Sequence, residues 1–206
     1  MNNSAKLTDI LEQIINYTSI DPKLKPSLIP GLSLAEISEK LSNFPFCLPK
    51  EVEELYEWHN GMVIDTDSQL FYYHTFLPLQ KSLKIREEWL TYNTNNDLII
   101  YSPDLLPLFE FAGEYYAVQC TNEKQDSGLI WFVYHDSSAV YNSLKNMLLA
   151  ILQCYQTDAY QAFFTENFLE TNVDEKKVAK IKLAHNPIRQ ELFDLLRARQ
   201  DFYAHP

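Results

Sequence analysis

A chain of 206 residues with 46% hydrophobic and 14% aromatic side chains is too apolar for intrinsic disorder and fits one ordinary domain plus an extension. Its 28 acidic against 17 basic residues give a net charge of -11, which repels phosphate backbones and anionic lipid headgroups and argues against nucleic acid or a membrane surface as partner. Three cysteines (Cys47, Cys120 and Cys154), an odd number without CxxC spacing, argue against a disulfide framework or a zinc site and fit a reducing cytosol.

Met1 to Lys6 leads straight into an amphipathic pattern, so no secretory signal is expected, and no apolar run approaches the roughly 18 residues a membrane helix needs. Leu7, Ile10, Leu11, Ile14 and Ile15 share one face of a first helix. Pro22, Pro26 and Pro30 make the next stretch a stiff connector. Ser33, three residues before Glu36, has the capping-box spacing of a second helix running to about Ser42. Pro49 opens a third helix, with Glu51, Glu53 and Glu54 near its positive end and Asn60-Gly61 closing it. Val52, Leu55, Tyr56 and His59 are expected on one face.

After a polar turn at Asp65 to Ser68, the aromatic run Leu70 to Phe76 reads as a strand that Pro78 ends. A helix follows over about Gln80 to Thr91, with Trp89 on its flank. The β-prone runs 98–101, 106–111, 115–120 and 129–134, with turns at Ala112-Gly113-Glu114 and Asn122 to Gly128, predict an antiparallel meander. Helical period returns at Ser143, and two further helices are expected over 175–183 and 188–200, parted by Pro187.

Strands in the middle and helices at both ends define an α+β class: a central, mostly antiparallel sheet flanked by helices, with a helical C-terminal extension. The expected organisation is an N-terminal helix and connector over 1–27, a core domain over 28–155, and a helical extension over 156–206 packed on it. The four glycines, at 31, 61, 113 and 128, form no dinucleotide or phosphate loop, and GxSxG and HExxH are absent. The five histidines lack ligand spacing, so no metal and no cofactor are expected. Glu110 and Glu114 could be drawn as a catalytic carboxylate pair, but a charged residue in a hairpin turn is usually solvated.

The segment Leu48-Pro49-Lys50-Glu51-Val52-Glu53-Glu54-Leu55-Tyr56-Glu57-Trp58-His59-Asn60-Gly61 resembles the leucine-proline helix of the SUKH superfamily, which holds fungal cell-wall-synthesis regulators and many bacterial immunity proteins. Leu106 to Val118 is similar to its apolar strand, glycine-acid turn and following strand, and Tyr141 to Leu148 to its last helix; the likeness spans roughly 28–155. It departs at Gln119-Cys120, where the family often carries an acid, and beyond about Gln156. The resemblance implies a non-catalytic, cytoplasmic protein-binding domain, such as an immunity protein that neutralises a toxin, often a nuclease with a basic active site. A regulatory scaffold without a toxin partner is the alternative.

Trp58, Tyr72, Glu114 and Tyr116 are the candidate partner-binding residues, each with core packing or a solvated turn as its plainer role. A competing enzyme reading uses His59 or His135 with Glu57 or Asp136. A third treats the stripe Leu192, Phe193, Leu195, Leu196 and Gln200 as a subunit contact, with packing on its own domain as the plainer role. The sequence fixes neither the partner's identity nor the oligomeric state.

Overall fold

A computed structural model describes residues 5–19, 26–63, 69–97, 100–164 and 169–186. In chain order the elements are α1 (Leu7–Thr18), β1 (Leu28–Pro30), α2 (Leu34–Lys40), α3 (Lys50–Trp58), β2 (His59–Met62), β3 (Thr75–Phe76) and α4 (Leu79–Asn96). They continue with β4 (Leu105–Phe111), β5 (Glu114–Gln119), β6 (Ile130–Val133), β7 (Ser137–Tyr141), α5 (Leu144–Gln156), β8 (Tyr160–Phe164), β9 (Leu169–Val173) and α6 (Glu175–His185). The central sheet has the order β3-β4-β5-β6-β7, every pairing antiparallel, with two-stranded sheets β1-β2 and β8-β9 beside it. The protein is therefore α+β, and three of the four expected β-prone runs, 106–111, 115–120 and 129–134, form consecutive antiparallel strands.

Alternation along the strands gives the sheet two apolar faces. On one, Leu105, Ala117, Trp131 and Val133 pack under Ile85 and Trp89 of α4. On the other, Leu106, Val118 and Ile130 join a larger core that includes the expected stripe of α1, Val52, Leu55 and Tyr56 of α3, Met147, Leu148 and Ile151 of α5, and Val178 and Ile181 of α6. Trp89 thus belongs to the buried face of its helix rather than the flank.

Several local expectations are corrected. Helix α3 stops at Trp58, because His59 is extended and pairs with Pro30; Asn60 and Gly61 lie in strand β2 instead of closing the helix. Gly61 has φ +79°, and a Cβ there would fall 2.3 Å from the Pro78 nitrogen, so close backbone approach explains the glycine. Leu70 to Phe76 is not one strand: the chain reverses at Tyr72-Tyr73, leaving a Phe71–His74 bridge and the two residues of β3. Hairpin β8-β9 and strands β1 and β7 arise where no strand is expected, and residues 100–101 form none. The polar turn at 65–68, the helix over 188–200 and its apolar stripe lie outside the described residues.

The capping box of α2 forms as its spacing requires: the Ser33 side chain accepts from the Glu36 N–H, and Glu36 accepts from the Ser33 N–H at 2.8 Å. Glu51 does more than sit at the start of its own helix. Its carboxylate, 8% exposed, accepts from the backbone N–H groups of Gly128 (3.1 Å), Leu144 (2.9 Å) and Lys145 (3.1 Å), so one side chain of α3 caps α5 and pins the loop before β6. Burial raises the carboxyl's pKa above the ordinary value, against the three N–H bonds, which lower it.

Glu51→Ala strands these donors and is expected to cost about 3 kcal/mol in urea unfolding, whereas Glu51→Gln, which keeps an acceptor, costs less.

Candidate partner-binding face

Tyr72 and Tyr73 sit at φ 38° and 66°, both left-handed, in a tight turn between Phe71 and His74. Such geometry suits Asn-Gly and costs a bulky side chain about 1–3 kcal/mol per residue. It persists because the turn is braced from several directions. The Tyr72 N–H donates to the Tyr155 hydroxyl of α5 at 3.0 Å, and the Tyr73 N–H donates to Gln69 Oε1. The Tyr73 hydroxyl accepts from the Thr171 N–H of β9 at 3.0 Å. The Tyr72 ring stacks on Tyr160 of β8 at 4.8 Å with planes 1° apart, and Tyr73 stacks on Phe111 at 5.2 Å.

Phe111 is 39% exposed and pairs across the β4-β5 hairpin with Glu114, which puts both on one face. Burial raises the Tyr72 hydroxyl pKa, and the charges of Glu114 and Glu175 raise it further. Tyr72, Tyr73, Phe111, Glu114 and Glu175 therefore form one aromatic and acidic surface. Residues 51–80, 87–123 and 146–175, which supply these side chains, contain neither lysine nor arginine.

Tyr116 lies beneath this surface. It is partly buried, its ring 4.8 Å from His74 and 6.1 Å from Tyr141, and burial pushes its hydroxyl up to about 12. Trp58 does not join the group. Its indole N–H donates to Glu12 Oε1 at 3.1 Å in the middle of α1, whereas the tyrosine turn meets the end of that helix through the Thr18 hydroxyl, which donates to Leu70 O. Tyr73 and Phe111 were not among the sequence candidates. The glycine-acid turn beside Phe111 was the available signal; Tyr73 was hidden by reading its turn as a strand.

The groups of the enzyme reading do not converge. His59 Nδ1 bonds Ile29 O at 2.9 Å, and His135 lies exposed in the β6-β7 turn against Tyr134. Glu110 Oε1 accepts from the Gly113 N–H at 3.2 Å, a turn-closing role. Burial pushes the Cys120 thiol up and the Cys154 thiol up to about 11. Among the described residues no group of three or more His, Cys, Asp or Glu could hold a metal ion, and no helix is long and apolar enough to cross a membrane.

Together these features define an α+β domain with a two-sided antiparallel sheet and a braced aromatic turn on one edge. The chain belongs to the SMI1 / KNR4 family (SUKH-1), whose model matches residues 31–150, more than half of its length. No curated protein matches it.

His74, buried under the turn, bonds the Tyr72 carbonyl through Nδ1 at 2.8 Å, and its Nε2 has no hydrogen-bond partner among the described residues. Burial lowers its pKa to about 4, and Lys182 contributes in the same direction. Above pH 6.5 folded and unfolded chains both hold it neutral; as pH falls below 6.5 only the unfolded chain gains the proton, and stability drops until about pH 4. Wild type is expected to lose about 2 kcal/mol more than His74→Phe between pH 7.5 and pH 5, measured by urea unfolding at each pH.

Proposed function

We propose that the protein is a non-catalytic, cytoplasmic binding module whose partner is a basic protein, engaged through the Tyr72-Tyr73 turn. The carrying observation is that turn itself: two left-handed tyrosines held by four other segments, beside a half-exposed phenylalanine and unneutralised carboxylates. Strained backbone kept in place by such bracing is characteristic of binding and switch regions. Rigid tyrosines supply contact area with little entropy to lose, and the carboxylates of Glu114 and Glu175 beside them steer a positive partner and fix its orientation.

Membership of a family with protein-binding members supports this reading, and within it immunity against a toxin domain, such as a nuclease with a basic active site, is the role that suits a net charge of -11. Tyr116 then acts from below as a support for the turn, and Glu114 as a direct contact.

The test is capture of partners on the tagged chain from its own cells, in parallel with Tyr73→Ser and Glu114→Lys variants, at low and high salt. A stoichiometric basic protein is expected, bound at least tenfold more weakly by either variant and released as salt rises. A partner bound equally by wild type and both variants would place the interface elsewhere, and the absence of any specific partner would refute the binding role.

A further inference from the structure

A cleft of about 980 Å³ opens between the start of α1, the outer face of α3 and the turn leading into α5. It is separate from the tyrosine face: its lining includes none of the turn's residues, and it meets α1 at residues 5–8, whereas the turn meets that helix at Thr18. Trp58 forms part of its wall. The indole is partly buried, packs against the main core, meets His59 edge-on at 4.5 Å and is oriented by the bond to Glu12. A ring locked on one side and open on the other is a platform.

Glu54 and Glu57, three residues apart on α3, flank the indole, and both are exposed, as is Glu12. None of the three pairs with a lysine or arginine among the described residues. Of the lysines at the rim, Lys50 is held by Asp126 at 2.6 Å, whereas Glu54 and Glu57 beside the indole have no lysine or arginine partner among the described residues. The cleft therefore offers two exposed carboxylates, unpaired among the described residues, beside an aromatic plane.

We infer that this cleft takes an arginine side chain presented by a polypeptide partner. A guanidinium is flat enough to stack on the indole, more weakly hydrated than an ammonium, and carries a fork of N–H donors matched to carboxylates. Glu54 and Glu57 would accept from that fork while Glu12 keeps the indole in place.

The probe is the peptide acetyl-Ala-Arg-Ala-amide, with its citrulline counterpart as a neutral control of the same shape, titrated into the full chain. The readout is the indole N–H resonance of Trp58, assigned by its disappearance in Trp58→Phe. The arginine peptide is expected to shift that resonance to saturation, to leave the buried Trp89 and Trp131 indoles unmoved, and to bind at least tenfold more weakly to the Glu54→Gln/Glu57→Gln variant. Equal titration by arginine and citrulline, wild-type binding by the double variant, or no shift up to about 10 mM peptide, a ceiling near 2.7 kcal/mol of binding, would each overturn the assignment. Both glutamates are exposed, so the variant keeps its fold, checked by an unchanged amide spectrum. Tyr73→Ser leaves this titration unaltered, which separates its failure from failure of the tyrosine face.

Discussion

The fold turns on one buried carboxylate. Glu51 leaves the first turn of α3 and takes three backbone N–H groups from outside that helix, two from the start of α5 and one from Gly128. Residues 77 to 94 positions apart in sequence meet at this one side chain, so α3, the entry to β6 and α5 keep a common register. Apolar packing alone would let the two helices slide, because dispersion contacts are not directional. A charged acceptor facing three fixed donors permits one placement. Gly128 completes the constraint, since a Cβ there would lie 2.5 Å from Gln119 O, so only glycine lets the loop approach β5.

The tyrosine turn is held differently. Its backbone works against local preference, and its stability comes from the nearby Gln69 and from four segments farther along the chain: the end of α5, both strands of the β8-β9 hairpin, and Phe111 of β4. Each aromatic stack contributes about 0.5–1.5 kcal/mol and each hydrogen bond about 1 kcal/mol, a total comparable with the strain of two left-handed tyrosines. The His74 Nε2 just beneath is buried and has no hydrogen-bond partner among the described residues. A region so balanced is fixed in shape yet sits close to the energy of alternatives.

How much of this was legible in the sequence follows from what each element depends on. Helices α1, α2, α5 and α6 and the strands β4 to β6 rest on apolar period, capping residues and glycine turns, all of which are local, so they could be read directly, whereas β7 could not. The end of α3 could not, because Asn60-Gly61 looks like a helix cap and becomes strand only when Pro30 supplies a partner. Tyr72-Tyr73 was hidden for the same kind of reason: two β-prone residues adopt a turn only because Tyr155, Tyr160 and Thr171 hold them there. The candidate residues divide accordingly. Tyr72 and Glu114 share one surface, Tyr116 supports it, and Trp58 stands in a different cleft, a separation no spacing rule could reveal.

Helix α1 lies outside the span matched by the family model, yet it borders both surfaces. Its first turn walls the Trp58 cleft, and at its far end the Tyr17 ring stacks on Tyr155 while Thr18 holds the carbonyl of Leu70. Its buried stripe of Leu7, Ile10, Leu11, Ile14 and Ile15 is packed on α3 and α5 within the main core. The rim of the cleft and a brace of the tyrosine turn are thus carried by one packed segment, so the docking of a single helix holds both surfaces in a fixed mutual frame.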